Sequence, residues 1–272
     1  ELAVDGEDVE VHYRTGGSGP PLVFLHGIGL DAATVSWRHT LPALAEHRTV
    51  CAPDLPGHGE SDKPDRAYTT DYYLETVAAF LDAVDVSNPA IAGLSMGGAL
   101  ALGHAFDGGD VEGLVLVDSY GLGGDAYWRT AASGVLQTPL LGGMLWQGVG
   151  SFRPAIRTGL RSMAATEPSQ ELVEDVAAAV DRRTVRAMRR WQRSEFLSSG
   201  FRTNYLDRLT ELDVPTLLLH GVEDPLLPAS WSRRAGQKLP DSTVRILAEC
   251  GHCPPRERSD TVNRAIRSFC TQ

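Results

Sequence analysis

The sequence predicts an α/β fold: a mostly parallel central sheet flanked by helices, with a helical lid inserted after the sixth strand. Three observations predict it. At 272 residues the chain is long enough for one large α/β domain with a substantial apolar core. Short apolar runs alternate with segments of helical character, as strand–helix–strand crossovers require. That alternation stops after Asp118 and resumes near Val214, which marks an insertion. The expected division is a core of residues 1–119 and 207–272 with a lid over residues 120–206.

The first expected strand covers 9–14, and the second, PLVFL at 21–25, runs into the glycine-containing loop HGIG. A helix over 37–46 leads to a strand over 49–52 and then to the turn DLPGHGESD at 54–62. A helix over 70–84 precedes the strand over 89–94, and a small-residue helix over 95–105 follows that strand at once. The strand over 113–117 ends the first half. Inside the insertion, Gly and Pro break the stretch 139–150, which suggests a movable wall. Further on, Val173, Val176, Val180, Thr184, Met188 and Trp191 recur at spacings of three and four, so they share one helical face. Arg182, Arg186, Arg189 and Arg193 line another face. Beyond the insertion come a strand over 216–220, a helix over 228–238, a strand over 243–247 and a last helix over 260–269, capped by Ser259 or Asp260.

Composition excludes several functions. A formal charge of −10 repels a phosphate backbone, so nucleic acid is not an expected partner. The longest apolar stretch, around 136–149, is interrupted by Pro139 and glycines and is no membrane span. Residues 120–206 depart from the acidic average, with eleven arginines against seven acidic residues. The four cysteines are too few and too scattered for a disulfide scaffold. Cys250 and Cys253 form a lone C-x-x-C without the second pair a zinc site needs, so no metal is expected; a local disulfide between them stays open. No leader pattern opens the chain and a cytoplasmic protein is the expectation, which a leader removed before Glu1 would change. Oligomeric state is not legible.

The chemistry begins at GLSMGG, residues 93–98, where Ser95 stands between an apolar strand and a small-residue helix. A serine at the apex of such a turn exposes its hydroxyl, and Gly93 and Gly97 leave room for the strained backbone. A serine hydroxyl is a weak nucleophile until an imidazole takes its proton, and the imidazole needs a carboxylate to fix its tautomer. Asp224 in HGVEDPLLP and His252 in ECGHCPPRE each follow an expected strand by a short turn, so all three would meet at the carboxyl edge of the sheet. Glu223 and Asp118 compete with Asp224 for the role of acid. In FLHGIG at 24–29, backbone N–H groups can face a developing oxyanion; Ile28 N–H and Met96 N–H are the expected pair.

Together these residues resemble the α/β hydrolase superfamily over nearly the whole chain. DLPGHGESD and VDSYG at 117–121 are similar to further segments of that family. Within it the chain looks most like small esterases, cofactor-free haloperoxidases or perhydrolases, and carbon–carbon bond hydrolases of aromatic ring degradation. Ser95 stands where epoxide hydrolases and haloalkane dehalogenases carry aspartate, which counts against both.

The resemblance implies a cofactor-free serine hydrolase that cleaves esters of small to medium carboxylic acids through an acyl-enzyme. A carbon–carbon hydrolase of a vinylogous diketone acid is the alternative, favoured by HGIGLDAATVSW and weakened by Cys253 where that group carries an aromatic residue. A receptor that keeps the fold with little catalysis is a third reading. The expected partner is a small ester or related acyl compound. Candidate pocket residues are His26, Gly27, Gly29, Trp37, Trp128, Trp146, Met144, Trp191 and Leu227. Arg189 and Arg190 are the candidate contacts for an anionic substrate. His58 and His220 are expected to be structural, and His26 to brace the oxyanion loop.

Overall fold

The computed structural model describes residues 1–126, 152–197 and 200–271. Its centre is a seven-stranded sheet formed by β3 (Tyr13–Gly16), β4 (Pro21–Leu25), β5 (Thr49–Pro53), β6 (Ala90–Leu94), β7 (Gly113–Val117), β10 (Thr216–Gly221) and β11 (Ser242–Leu247). The spatial order is β11-β10-β7-β6-β4-β5-β3. Every adjacent pair is parallel except β3 with β5, so one antiparallel strand closes an otherwise parallel sheet. A hairpin of β1 (Leu2–Val4) and β2 (Glu7–Val9) precedes it.

Parallel strands are covered on both faces, and their side chains sort by alternation. Val23, Leu25, Ile91 and Leu116 enter one apolar layer, shared with α3 (Thr70–Ala83) and α4 (Met96–Phe106). Leu22, Phe24, Ala92 and Val117 enter the other, shared with α2 (Thr40–Ala45) and the last helix, α10 (Ser259–Phe269). Between β7 and β10 the chain forms α5 (Arg153–Arg161), α6 (Gln170–Ala179), α7 (Arg182–Glu195) and a short pair, β8 (Phe196–Leu197) with β9 (Gly200–Phe201). The insertion follows the fifth strand of the sheet in chain order rather than the expected sixth, because β1 and β2 pair with each other apart from this sheet. After β10 come α8 (Ala229–Lys238), β11, and the single turn α9 (Pro254–Glu257). No helix among the described residues is long and apolar enough to cross a membrane.

Four expected boundaries differ. The strand over 9–14 is divided between β2 and β3, because Glu10 and His12 spend their amides on Asp62 Oδ2 (2.9 Å) and Ser61 Oγ (2.8 Å) rather than on a ladder. The helix over 37–46 is replaced by α1 (Ala33–Ser36) and α2; Pro42 has no N–H to donate and fits only a first turn, which starts α2 at Thr40. The apolar face running from Val173 to Trp191 belongs to two helices, because the chain turns extended at Val180 and Asp181 caps a new start. Neither Ser259 nor Asp260 caps α10: Arg258 holds that position without a side-chain bond.

Candidate active site

Ser95 lies between β6 and α4 with φ 53° and ψ −114°, a strained conformation for a residue with a Cβ. The residues two before and two after it must be glycine. A Cβ at Gly93 would stand 2.2 Å from Gly97 O, and one at Gly97 would stand 2.3 Å from Leu25 O. The side chain of Ser95 does not cap α4, so the hydroxyl is left for other chemistry. Its carbonyl accepts from Gly98, Ala99 and Tyr120, while its own amide donates to Val117 O at 2.9 Å. Half-buried Ser95 is therefore held by its backbone, and its Oγ has no hydrogen-bond partner among the described residues.

Asp224 and His252 leave β10 and β11 at the same edge. His252 Nδ1 lies 2.7 Å from Asp224 Oδ2. Asp224 Oδ1 accepts the amides of Leu226 (2.7 Å) and Leu227 (3.1 Å), which folds the turn around the carboxylate. Burial opposes the charge on Asp224, but His252 and His220 outweigh it and hold the pKa below the ordinary carboxylate range. Burial likewise disfavours a charged His252, yet Asp224 foremost, then Asp31 and Glu257, raise its pKa above the usual imidazole value. With Nδ1–H directed at Asp224, Nε2 is the basic nitrogen.

The two competing carboxylates are placed differently. Glu223 turns back to accept the Cys250 amide at 2.7 Å. Asp118 is fully buried; Oδ1 accepts Gly221 N–H at 2.8 Å, and Oδ2 has no partner although His252 Nδ1 is 4.0 Å from it. Burial, aided by the neighbouring Asp224 charge, pushes its pKa well up. Asp118, Asp224 and His252 also bring ligand atoms within 4.8 Å of one another, as do His12, Asp54 and Glu60. In the second group the Asp54 carboxylate already accepts Ala33 N–H and Glu60 N–H at 2.9 and 3.0 Å.

The loop after β4 passes beside the serine: a Cβ on Gly27 would lie 3.4 Å from Ser95 Cβ. Asp31 shapes this loop, accepting Gly27 N–H and Ala32 N–H at 2.8 Å each and the Ser36 hydroxyl at 2.6 Å. The amides of Ile28 and Met96 have no intramolecular partner among the described residues, and Met96 opens α4, whose first N–H groups face outward. Gly29, at φ +111°, faces Met188 of α7.

Several expected pocket residues do other work. His26 is fully buried with both ring nitrogens on backbone, Nδ1 donating to Gly27 O at 2.7 Å and Nε2 accepting from Leu55 N–H at 2.9 Å, so it braces the loop and does not face substrate. Trp37 belongs to the core on the opposite sheet face, 5.0 Å from Phe24 between ring centres. Leu227 serves the turn around Asp224, its carbonyl meeting His220 Nε2 at 2.9 Å. Trp191 is buried against Tyr120 and donates Nε1–H to Thr70 Oγ1 at 3.2 Å, which anchors α7. Arg190 is turned to Asp65 (2.5 Å) and the Arg66 carbonyl (2.8 Å) rather than to the serine. Trp128, Met144 and Trp146 lie outside the described residues. All four cysteines are free, so Cys250 and Cys253 form no disulfide. Sequence reasoning missed Asp31 and Glu257; a lone acid in the loop GIGLDAA was the one signal for the first, and nothing local marked the second.

Comparison with known proteins identifies the family. Residues 22–265 match the family described as the alpha/beta hydrolase family. The chain is 31% identical to an uncharacterised protein of Mycobacterium tuberculosis, covering 89% of this chain and 72% of that one. It is 27% identical to a 2-hydroxy-6-oxo-2,4-heptadienoate hydrolase of Pseudomonas putida, covering 96% and 92%. A meta-cleavage product hydrolase from Pseudomonas fluorescens superposes with a TM-score of 0.81 at 25% identity, covering 99% and 96%.

Proposed function

The chain belongs to the alpha/beta hydrolase family, and from that premise we propose that it is a serine hydrolase of neutral carboxylic esters. The observation that carries the reading is the 2.7 Å bond between His252 and Asp224 at the sheet edge where the strained Ser95 stands. Ser95 Oγ attacks the ester carbonyl as His252 Nε2 takes its proton. Ile28 and Met96 N–H hold the oxyanion, each worth about 3 kcal/mol of barrier. His252 then protonates the leaving alcohol, and water resolves the acyl-enzyme by the same steps in reverse. The Ser95–His252 hydrogen bond forms with substrate in place, as catalytic bonds commonly tighten on binding. The helices α5 to α7 act as the lid.

Neutral substrates are favoured because carboxylates crowd the site while Arg190 and Arg186 are engaged by Asp65, at 2.5 and 3.9 Å. The names of the relatives support a second reading, cleavage of a carbon–carbon bond in a vinylogous diketone acid. Purified protein assayed on p-nitrophenyl esters and on a dienol diketone acid decides between them. Ester turnover is expected, and Ser95→Ala is expected to abolish it with an unchanged melting temperature. Undiminished hydrolysis by that variant would remove the assignment; turnover of the diketone acid alone would replace ester with carbon–carbon cleavage.

A further inference from the structure

Glu257 joins the inserted segment to the loop that carries His252. Its Oε1 accepts Cys253 N–H at 3.1 Å, and its Oε2 accepts Gly251 N–H at 3.0 Å and Ala165 N–H at 2.8 Å. Two of these donors flank His252, and the third belongs to the insertion just after α5. The His252 amide itself donates to Met163 O at 2.8 Å. Gly251 lies against the same backbone, where a Cβ would stand 2.5 Å from Met163 O and 2.7 Å from Ala165 N. Upstream, Ile156 and Leu160 of α5 pack in one apolar layer with Leu30 of the loop after β4. One short piece of the insertion thus bears on the oxyanion loop at one end and on the histidine loop at the other.

We propose that Glu257 is a positioning residue that ties His252 to the seated insertion, so that the base is correctly placed for Ser95 only while residues 163–165 are docked. The proposal rests on the serine-hydrolase reading. A carboxylate accepts three amides on two oxygens; a carboxamide offers one acceptor oxygen and turns an N–H₂ group toward the remaining donors. Glu257→Gln therefore keeps size and breaks the bridge. It also removes a negative charge facing His252, whose other titratable neighbours are Asp224 and Asp118 from the strand ends, Asp31 from the loop after β4 and, across Asp224, His220 of β10. Gly251→Ala is the complementary change, because it adds no charge and wedges a methyl group between the two loops.

Both variants are compared with wild type by ester kinetics across pH, thermal melting and NMR titration of the His252 imidazole. The expected result is a kcat about 10- to 100-fold lower in each, with KM within about twofold, since small misplacements of a catalytic group cost rate rather than binding. For Glu257→Gln the acid limb of kcat/KM moves to lower pH. Wild-type kcat in either folded variant, or an effect confined to the melting temperature, overturns the proposal. Should wild type cleave no ester, the hydrolase reading fails separately and the titration decides: a His252 resonance displaced in both variants supports the tie, and one unmoved by both overturns it.

Discussion

At Ser95 the backbone does what the side chain of a capping serine would otherwise do. Its carbonyl and amide are bonded, its φ is positive, and its Oγ is released from helix duty. The same economy governs His252, whose proton on Nδ1 is set by Asp224 while Nε2 is left basic. If His252 is the proposed base, the raised pKa of the folded site means that the base form, and with it hydrolysis, should be lost as pH falls through that raised value. Asp224→Asn removes the largest raising influence, so the acid limb of kcat/KM should move to lower pH. The wrong tautomer should also lower kcat by about 10⁴-fold. A pH–rate profile checks both, and a limb that moves upward contradicts the assignment of Asp224. Ser95, Asp224 and His252 were legible because each stands in a short motif beside its own strand. Asp31 and Glu257 were not, since their meaning lies in donors that folding brings to them: the loop amides for one, and Ala165, 92 residues away, for the other.

Among the elements, strands were read more reliably than helix ends, for a physical reason. A run buried on both faces is apolar without interruption and stops at polar residues, as in β4, β6 and β7. A helix end depends on which group caps it. The face from Val173 to Trp191 keeps its period across a break, so periodicity alone sees one helix where Asp181 starts a second. Asp181 Oδ1 accepts Arg183 N–H and Thr184 N–H at 2.8 Å each, and Thr184 completes the reciprocal box. Asp181→Ala should cost about 1 kcal/mol. Calorimetry should show a fall in melting temperature of about 2–4 °C. Ester turnover in the cold should be preserved, because the bonds of Asp181 run to Arg183, Thr184 and Lys63 rather than to Ser95, Asp224 or His252.

For the molecule as a whole, the insertion is held down by a few buried polar ties as well as by apolar packing. Glu195, fully buried, accepts the Thr70 hydroxyl, the Tyr120 hydroxyl and the Thr203 amide. Arg256, its side chain 2% exposed, spans Val35 O and Asp175 at 2.8 Å each and Glu171 at 3.2 Å. Exposed ion pairs contribute little, but removing one partner of a buried pair leaves the other charge uncompensated. Here Arg38 still pairs with Asp175 at 3.0 Å and with Glu171 at 3.1 Å, so Arg256→Ala leaves the Val35 carbonyl and only part of the Asp175 charge unmatched and should destabilise the protein by about 1–2 kcal/mol in urea titration. The difference should persist in 1 M salt, because buried, directly bonded groups are screened much less than exposed charges. A loss that vanishes with salt would mean the pair is solvated.

What the sequence determined by itself was the fold and the three side chains at its edge. Parallel strands must be apolar on both faces and must release their chain into loops at one end, so local pattern suffices to order them. What only the tertiary structure decided was which polar groups are consumed. It gave Trp37 to the far core and Arg190 to Asp65, and it brought Glu257 between two distant loops. A buried polar atom takes whatever partner the packed chain delivers, and that partner is set by geometry across the molecule rather than by neighbours in the sequence.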